Sequence, residues 1–300
     1  MRNLIIKTIF ILFTTYGLSA QAWMTNLEIA QSLASVENKM ILMVWEETTK
    51  FQYPVFVNDD KGNVVFINNL FQDEEISPII WKNFIPVIVS EYQYADLYEK
   101  IKGKRSQRYI DKFNDDTIKI LDVNGNILNV NDTSEDLENI TVMIQKYALN
   151  TEYIAIELNG YRQKKDFFTA YYLASKYLDF SMYMKDNVRD DIIRLSNIYL
   201  NEAYSFLNSE KKEDQLVLKQ RVELLGIQQS LVAKRPKKVL RQLKRMDAEK
   251  VESSNQSFVA FLYYTAYKIL KDETNAAVWE SKISSVNLKK AQMIINLNKT

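Results

Sequence analysis

From Met40 to Trp45 the chain is continuously apolar between Lys39 and Glu46, a pattern that predicts a strand buried on both faces. Residues 46–52 then turn largely polar at the strand's carboxyl end, where open α/β sheets place their ligands. Upstream, Leu27, Ala30, Leu33, Ala34 and Val36 recur at approximately helical spacing behind Thr25 or Asn26, either of which suits an N-cap. Downstream, the β-runs YPVFV and VVFI flank the turn-rich NDDKGN, which reads as a hairpin. A helix is expected over 71–84, with Asp73, Glu74 and Glu75 near its positive end. Residues 84–89 form another β-run, whose Pro86 points to an edge or an irregular start, and 94–101 reads as helix.

Residues 117–121 and 127–130 flank Asn124-Gly125, a strong hairpin signal. Ser134 is expected to cap a helix with the stripe Leu137, Ile140, Ile144 and Tyr147. Beyond Asn150 no convincing strand occurs. Helical patterns cover 152–161, 166–184, 188–207, 213–232, 236–246, 257–270 and 274 onward, joined by short polar turns that imply antiparallel neighbours. Tyr161 and Ala170 stand nine apart across one such turn, as do Tyr267 and Ala276, a spacing similar to a tetratricopeptide-type hairpin. The expected fold class is an α/β domain over 23–149 followed by an all-α helical-hairpin domain over 150–300.

The first 22 residues read as an address rather than structure. Arg2 and Lys7 precede a mostly apolar stretch over 9–18, and Ala20-Gln21-Ala22 supplies the small residues of a cleavage site. That apolar stretch is shorter than the roughly 20 residues a spanning helix needs, so a signal peptide cleaved before Trp23 is expected rather than a membrane anchor. Without Arg2 and Lys7, 37 basic side chains face 38 acidic ones, a formal charge of −1. No global field then favours nucleic acid or acidic membranes. The chain contains neither cysteine nor histidine, which removes disulfides, Ser-His-Asp and Cys-His catalysis, and every Cys/His zinc site.

Four blocks resemble secreted thioredoxin-like domains: Trp23-Met24-Thr25 leading through Asn38-Lys39 into the strand, Phe71-Gln72-Asp73 to Ile76, Asn83-Phe84-Ile85-Pro86-Val87, and Asp116-Thr117 followed by Asp122 and Gly125. The resemblance covers about residues 23 to 148. It implies a thioredoxin-like α/β domain and places the family's Cys-x-x-Cys pair on Lys50 and Tyr53, give or take a residue or two, and its cis-proline on Asp116. None of the three supports thiol–disulfide exchange. A cis bond before Thr117 would cost roughly 2.5 to 4 kcal/mol, so a trans peptide is expected there. The hairpin also stands where the family begins a helix that lowers a cysteine's pKa.

Four features remain as candidate sites. Glu46 and Glu47 with Asp115 and Asp116 offer a carboxylate cluster for a hard cation or acid/base work, against the plainer reading of solvated loop charge. Lys50 with Tyr53 offers a proton-transfer pair, against ordinary loop residues. Lys237, Lys238, Arg241, Lys244 and Arg245, with Lys234 and Arg235 before them, form the densest basic stretch, opposite an apolar stripe of Val239, Leu240, Leu243 and Met246. It would bind an anionic surface, or serve only as a solvated helix face. Phe167, Phe168, Tyr171, Tyr172, Tyr177, Phe180 and Tyr183 would line a peptide groove or fill a helix–helix core, and the same choice applies to Phe261, Tyr263, Tyr264 and Tyr267. Asp122 to Asn126 lacks the spacing of a calcium loop.

The expected function is that of an exported, redox-inactive thioredoxin-like protein acting in protein interaction or as a scaffold in the cell envelope. Its partner would be another envelope or secreted protein, with no metal and no cofactor implied. The competing classes are a hydrolase or other enzyme using Asp, Glu, Lys or Tyr at the strand-end loops, and an anionic-surface-binding module.

Overall fold

The computed structural model describes residues 22–132, 137–246 and 251–299. All of the expected signal peptide over 1–22 but its last residue, and the expected Ser134 cap, lie outside them. The chain divides into two compact units at Asn150/Thr151, the first mixed α/β and the second helical.

In the first unit, α1 (Leu27–Glu37) is capped by Asn26, whose side chain accepts from the Ile29 N–H, and ends on left-handed Asn38. Its buried face is Leu27, Ala30 and Ala34, whereas Val36 is exposed. Strand β1 (Met40–Trp45) is buried at every position, as its unbroken apolar run requires. A single 3-10 turn (Glu46–Lys50) leads from it to the hairpin of β2 (Val55–Asn58) and β3 (Val64–Ile67), which pair antiparallel with Gly62 at positive φ in the turn. Asp59 knits that turn by accepting from the Lys61 and Asn63 N–H groups.

Helix α2 (Ile76–Asn83) is shorter than the 71–84 pattern suggested. Asp73 accepts from the Glu75 and Ile76 N–H groups, so the preceding residues make a turn that starts the helix later. It runs directly into β4 (Phe84–Val89), which pairs parallel with β1. On β4's other side Met24 donates to the Pro86 carbonyl and accepts from the Ile88 N–H. Successive residues alternate sides in a strand, so Pro86's missing N–H also faces outward and costs the β1–β4 ladder nothing. Helix α3 (Tyr94–Ile101) matches the expected span.

The pattern did not announce α4 (Gln107–Asn114), capped by Ser106 and buried through Tyr109, Ile110, Lys112 and Phe113. Strand β5 (Lys119–Leu121) pairs antiparallel with β1, giving the sheet order β4-β1-β5. The 127–130 run contributes one bridge, Leu121 to Ile127, rather than a strand of its own. Its turn places Gly125 at positive φ, and Asp122 accepts from the Asn124 and Asn126 N–H groups. Helix α5 (Ile140–Tyr147) is capped by Asn139 and buries Ile140, Met143 and Tyr147, while Leu137 stands exposed before it.

The second unit contains α6 (Ala155–Gln163), α7 (Phe167–Ser181), α8 (Asp186–Phe206), α9 (Lys212–Val232), α10 (Pro236–Leu243), α11 (Ser253–Ile269), α12 (Glu273–Glu280) and α13 (Ser285–Leu297). The pattern from 274 onward splits in two because Ser284 caps a new helix. Asp166 and Thr169 close a reciprocal capping box on α7. The unit's core is stitched by polar contacts between helices. Ser196 donates to the Ala174 carbonyl and accepts from Gln229, joining α7, α8 and α9. Fully buried Asn255 ties α11 to the Val217 carbonyl and Gln220 of α9. The tyrosine-rich set divides: Phe167, Tyr171, Tyr177 and Phe180 are core, and Phe168, Tyr172 and Tyr183 are exposed. Among the described residues no helix is long and apolar enough to cross a membrane.

Candidate functional sites

The carboxyl end of β1 is closed by aromatic packing. Trp45 donates its indole N–H to the Phe113 carbonyl at 2.9 Å and meets the Phe113 ring edge-on. The 3-10 turn above it is tied down by the Glu47 N–H donating to Glu91 and by Thr48 reaching the Asp116 carbonyl. Lys50 pairs with Glu47 at 2.5 Å, and that partner raises its pKa; both side chains are exposed.

Tyr53 turns the other way, so it forms no pair with Lys50. Its hydroxyl donates to Glu138 at 2.5 Å, and burial, with Glu138 adding to it, pushes its pKa well above the ordinary tyrosine range. The hairpin creates this contact. β2 docks on the start of α5, with the Phe56 N–H donating to the Glu138 carbonyl, the Asn58 N–H to the Thr141 hydroxyl, and a parallel bridge from Phe56 to Asn139. Residue 138 is thereby fixed beside residue 53.

Beneath them lies a lysine–aspartate cluster that the sequence did not indicate. Lys119 is 0 % exposed and spends its ammonium on the Asp115 carbonyl, the Asp115 carboxylate at 3.0 Å and the Thr117 carbonyl at 2.8 Å. Lys112 donates to the Thr117 hydroxyl and lies 3.6 Å from Asp115. Burial lowers the Lys119 pKa and raises that of Glu138. Burial alone would raise Asp115 as well, but Lys119, Lys112 and the Thr117 hydroxyl together hold it below the ordinary carboxylate value.

This cluster clamps the 115–117 turn: its lysine donors are directed at the turn's own oxygens, so no ammonium is left for a substrate. Asp116 contributes its carbonyl to Thr48. No cis peptide bond and no group of three or more acidic side chains placed to hold a metal ion occurs among the described residues.

The basic stretch has a different environment. Pro236 takes the first turn of α10, Val239 and Leu243 point into the unit, and Lys237, Lys238, Arg241, Lys244 and Arg245 are exposed. Among the described residues none of these five has a carboxylate within ion-pair distance, whereas Lys234 reaches Asp186 at 3.3 Å. Lys238 and Arg245 border an open groove of about 660 Å³ between α8, α9 and α10, together with Arg194 and Arg235; Lys237, Arg241 and Lys244 do not. The five predicted cations therefore fall into two sets. Arg194 was not foreseen: it comes from α8 and is oriented by Asp191 one turn earlier.

Comparison of the chain with protein-family models, with curated proteins and with solved structures returns no match.

Proposed function

We propose that the chain is an exported interaction protein in which a thioredoxin-like domain without redox chemistry accompanies a helical binding module. The thioredoxin-like reading is supported by the helix α1 leading into β1, the parallel β1–β4 pair and the β5 turn at Gly125, which fall on the blocks that resemble that family. The single observation that carries the functional reading is the fate of the charges. Lys50 and Tyr53, at the positions of the family's redox pair, are engaged by Glu47 and Glu138. The five exposed cations of α10 and its C-terminal end have no acidic partner among the described residues. That difference supports a binding face on the helical unit, and its proposed partner is another envelope or secreted protein.

The test is site-specific photo-crosslinking in native cells, with a photoreactive residue introduced at Lys238 or at Lys50 of the tagged full chain. The expected result is a processed, exported chain that forms one adduct from position 238 and none from 50. An adduct from position 50 alone would move binding to the strand-end loop, and an unprocessed cytoplasmic chain would overturn the export reading.

A further inference from the structure

We propose that the chain self-associates through the outer edge of β3, which pairs antiparallel with β3 of a second copy and joins the two hairpins in one continuous sheet. The directions of the backbone groups follow from β2. Phe56 and Asn58 send their N–H groups to Glu138 and Thr141, so Val55 and Val57 are the β2 residues that exchange hydrogen bonds with Ile67 and Val65. Val64 and Phe66 therefore turn their N–H and C=O groups to the outer edge of the hairpin. No strand pairs there among the described residues.

The side chains leave that edge unguarded. Val64, Val65 and Phe66 are exposed, and β3 carries no charge, no proline and no bulge, the devices that keep a sheet edge from pairing. Val64 and Phe66 stand on one face of the hairpin and Val65 on the other, so the strand that docks here needs apolar residues on both of its own faces. A second copy of β3 has them at every position.

Two-fold symmetry fixes the register. Outward-facing residues must oppose one another, which an axis through Val65 achieves: Val64 lies across from the copy's Phe66, and Val65 across from its own counterpart. Each Val64 and each Phe66 then both donates and accepts across the edge, and all the paired residues lie within β3. An axis through Phe66 would instead draw in Asn68, beyond the end of the strand. The antiparallel arrangement also sends the two turns, with Asp59, Asp60 and Lys61, to opposite ends of the sheet, so no like charges stand opposed. A strand this short buries less than the roughly 1,200 Å² of a stable interface, and the dimer is accordingly weak and concentration-dependent. The surface belongs to the first unit and does not rest on the binding face proposed for the second.

The test is sedimentation velocity of the purified full chain over a range of concentrations, with variants at Val65, whose side chain lies on the axis. The native chain is expected to show a monomer–dimer equilibrium with a Kd above about 1 μM. Val65→Lys or Val65→Glu alone sets like charges against each other and should weaken the dimer by about tenfold or more, whereas an equal mixture of the two variants should restore it. Val36→Lys, at an exposed valine of α1, should leave it unchanged. The chain contains no cysteine, so Val65→Cys gives an independent reading. The pair on the axis is a non-hydrogen-bonded one with Cα atoms about 4.5 Å apart, within the span of a disulfide, and an added oxidant should yield a covalent dimer from Val65→Cys and none from Val36→Cys. If a charged variant fails to fold by circular dichroism, the two cysteine variants decide.

A chain that stays monomeric at its highest soluble concentration would overturn the proposal, as would a dimer that Val65→Lys leaves intact. A charge mixture that remains monomeric, or equal crosslinking from positions 65 and 36, would overturn the pairing about Val65.

Discussion

The strand ends of the first unit and α10 of the second handle charge in opposite ways, although the second unit also buries a charge to hold a turn where Arg189 donates to the Ser181 and Met184 carbonyls. At the strand ends of the first, Lys112 and Lys119 are buried and turned onto Asp115 and Thr117, so each charge is consumed in holding a turn, and the Tyr53 hydroxyl is spent on Glu138. On α10 of the second and just beyond it, Lys237, Lys238, Arg241, Lys244 and Arg245 stand in solvent, with no carboxylate at ion-pair distance among the described residues. Charge spent on the fold is unavailable to a ligand, and charge that the fold does not need is free to recruit one. The difference also separates stability from binding, because substitutions in the first set should unfold the protein and substitutions in the second should not.

The largest effect is expected at Lys119. Lys119→Met leaves the Asp115 and Thr117 carbonyls without their buried donor, and should cost about 2 to 3 kcal/mol, the upper range for stranding buried acceptors, with Lys112 and Thr117 still holding the partly exposed Asp115 carboxylate. Urea unfolding measures this, and a loss no larger than that of an exposed lysine would show the cluster to be ornamental.

The pH dependence sharpens the comparison. Burial raises the Glu138 pKa, against the opposing effects of the Tyr53 hydroxyl and Lys112. The unfolded chain therefore gives up that proton first, near the ordinary value of 4.5, and stability falls as pH rises from there toward the elevated folded value. Glu138→Gln keeps an acceptor for Tyr53 and should remove this fall. Asp115 has the opposite sign. Its pKa is held below the ordinary 3.8, so its contribution is present above that value and is lost as pH falls through the depressed one. Urea midpoints across this range, in the native chain and the Gln variant, check both signs.

A smaller effect belongs to the turn before Ile127. Gly125 sits at φ +87°, and a Cβ there would stand 3.0 Å from the Gln31 amide nitrogen. Gly125→Ala should cost about 1 to 2 kcal/mol for the left-handed backbone, with the Gln31 side chain swinging aside. The smallest effect is expected on α10 and the turn after it, where Lys238→Glu with Arg245→Glu should shift stability by no more than about 0.5 kcal/mol per site, as urea unfolding would show. A large loss of stability there would erase the distinction between the units.

The long elements were legible because their apolar positions repeat over several turns, as in α8 and α9, or run unbroken, as in β1. Short ones were read unevenly: α3 and the β2–β3 hairpin were found, and α4 was not. The helix Gln107–Asn114 carries only three apolar residues, Tyr109, Ile110 and Phe113, too few for a period to show. Lys119 was hidden by its own pattern, since alternation in Thr117-Ile118-Lys119-Ile120 reads as a lysine facing water, yet it is sealed in the sheet by the turn it clamps. Glu138 reaches Tyr53 across 85 residues because β2 pairs beside Asn139, a long-range docking that no local window encodes. The basic stretch was visible in the sequence, but its division was not: which cations face the groove depends on the packing of α10 against α9 and α11.

The most direct test of a binding face on the helical unit is the salt dependence of the adduct formed from position 238 of the tagged full chain in a cell extract. The adduct should fade steeply as salt is raised, and Arg241→Glu with Lys244→Glu should lower it at low salt. An adduct indifferent to salt and to these reversals would contradict the claim that these cations are held for a ligand.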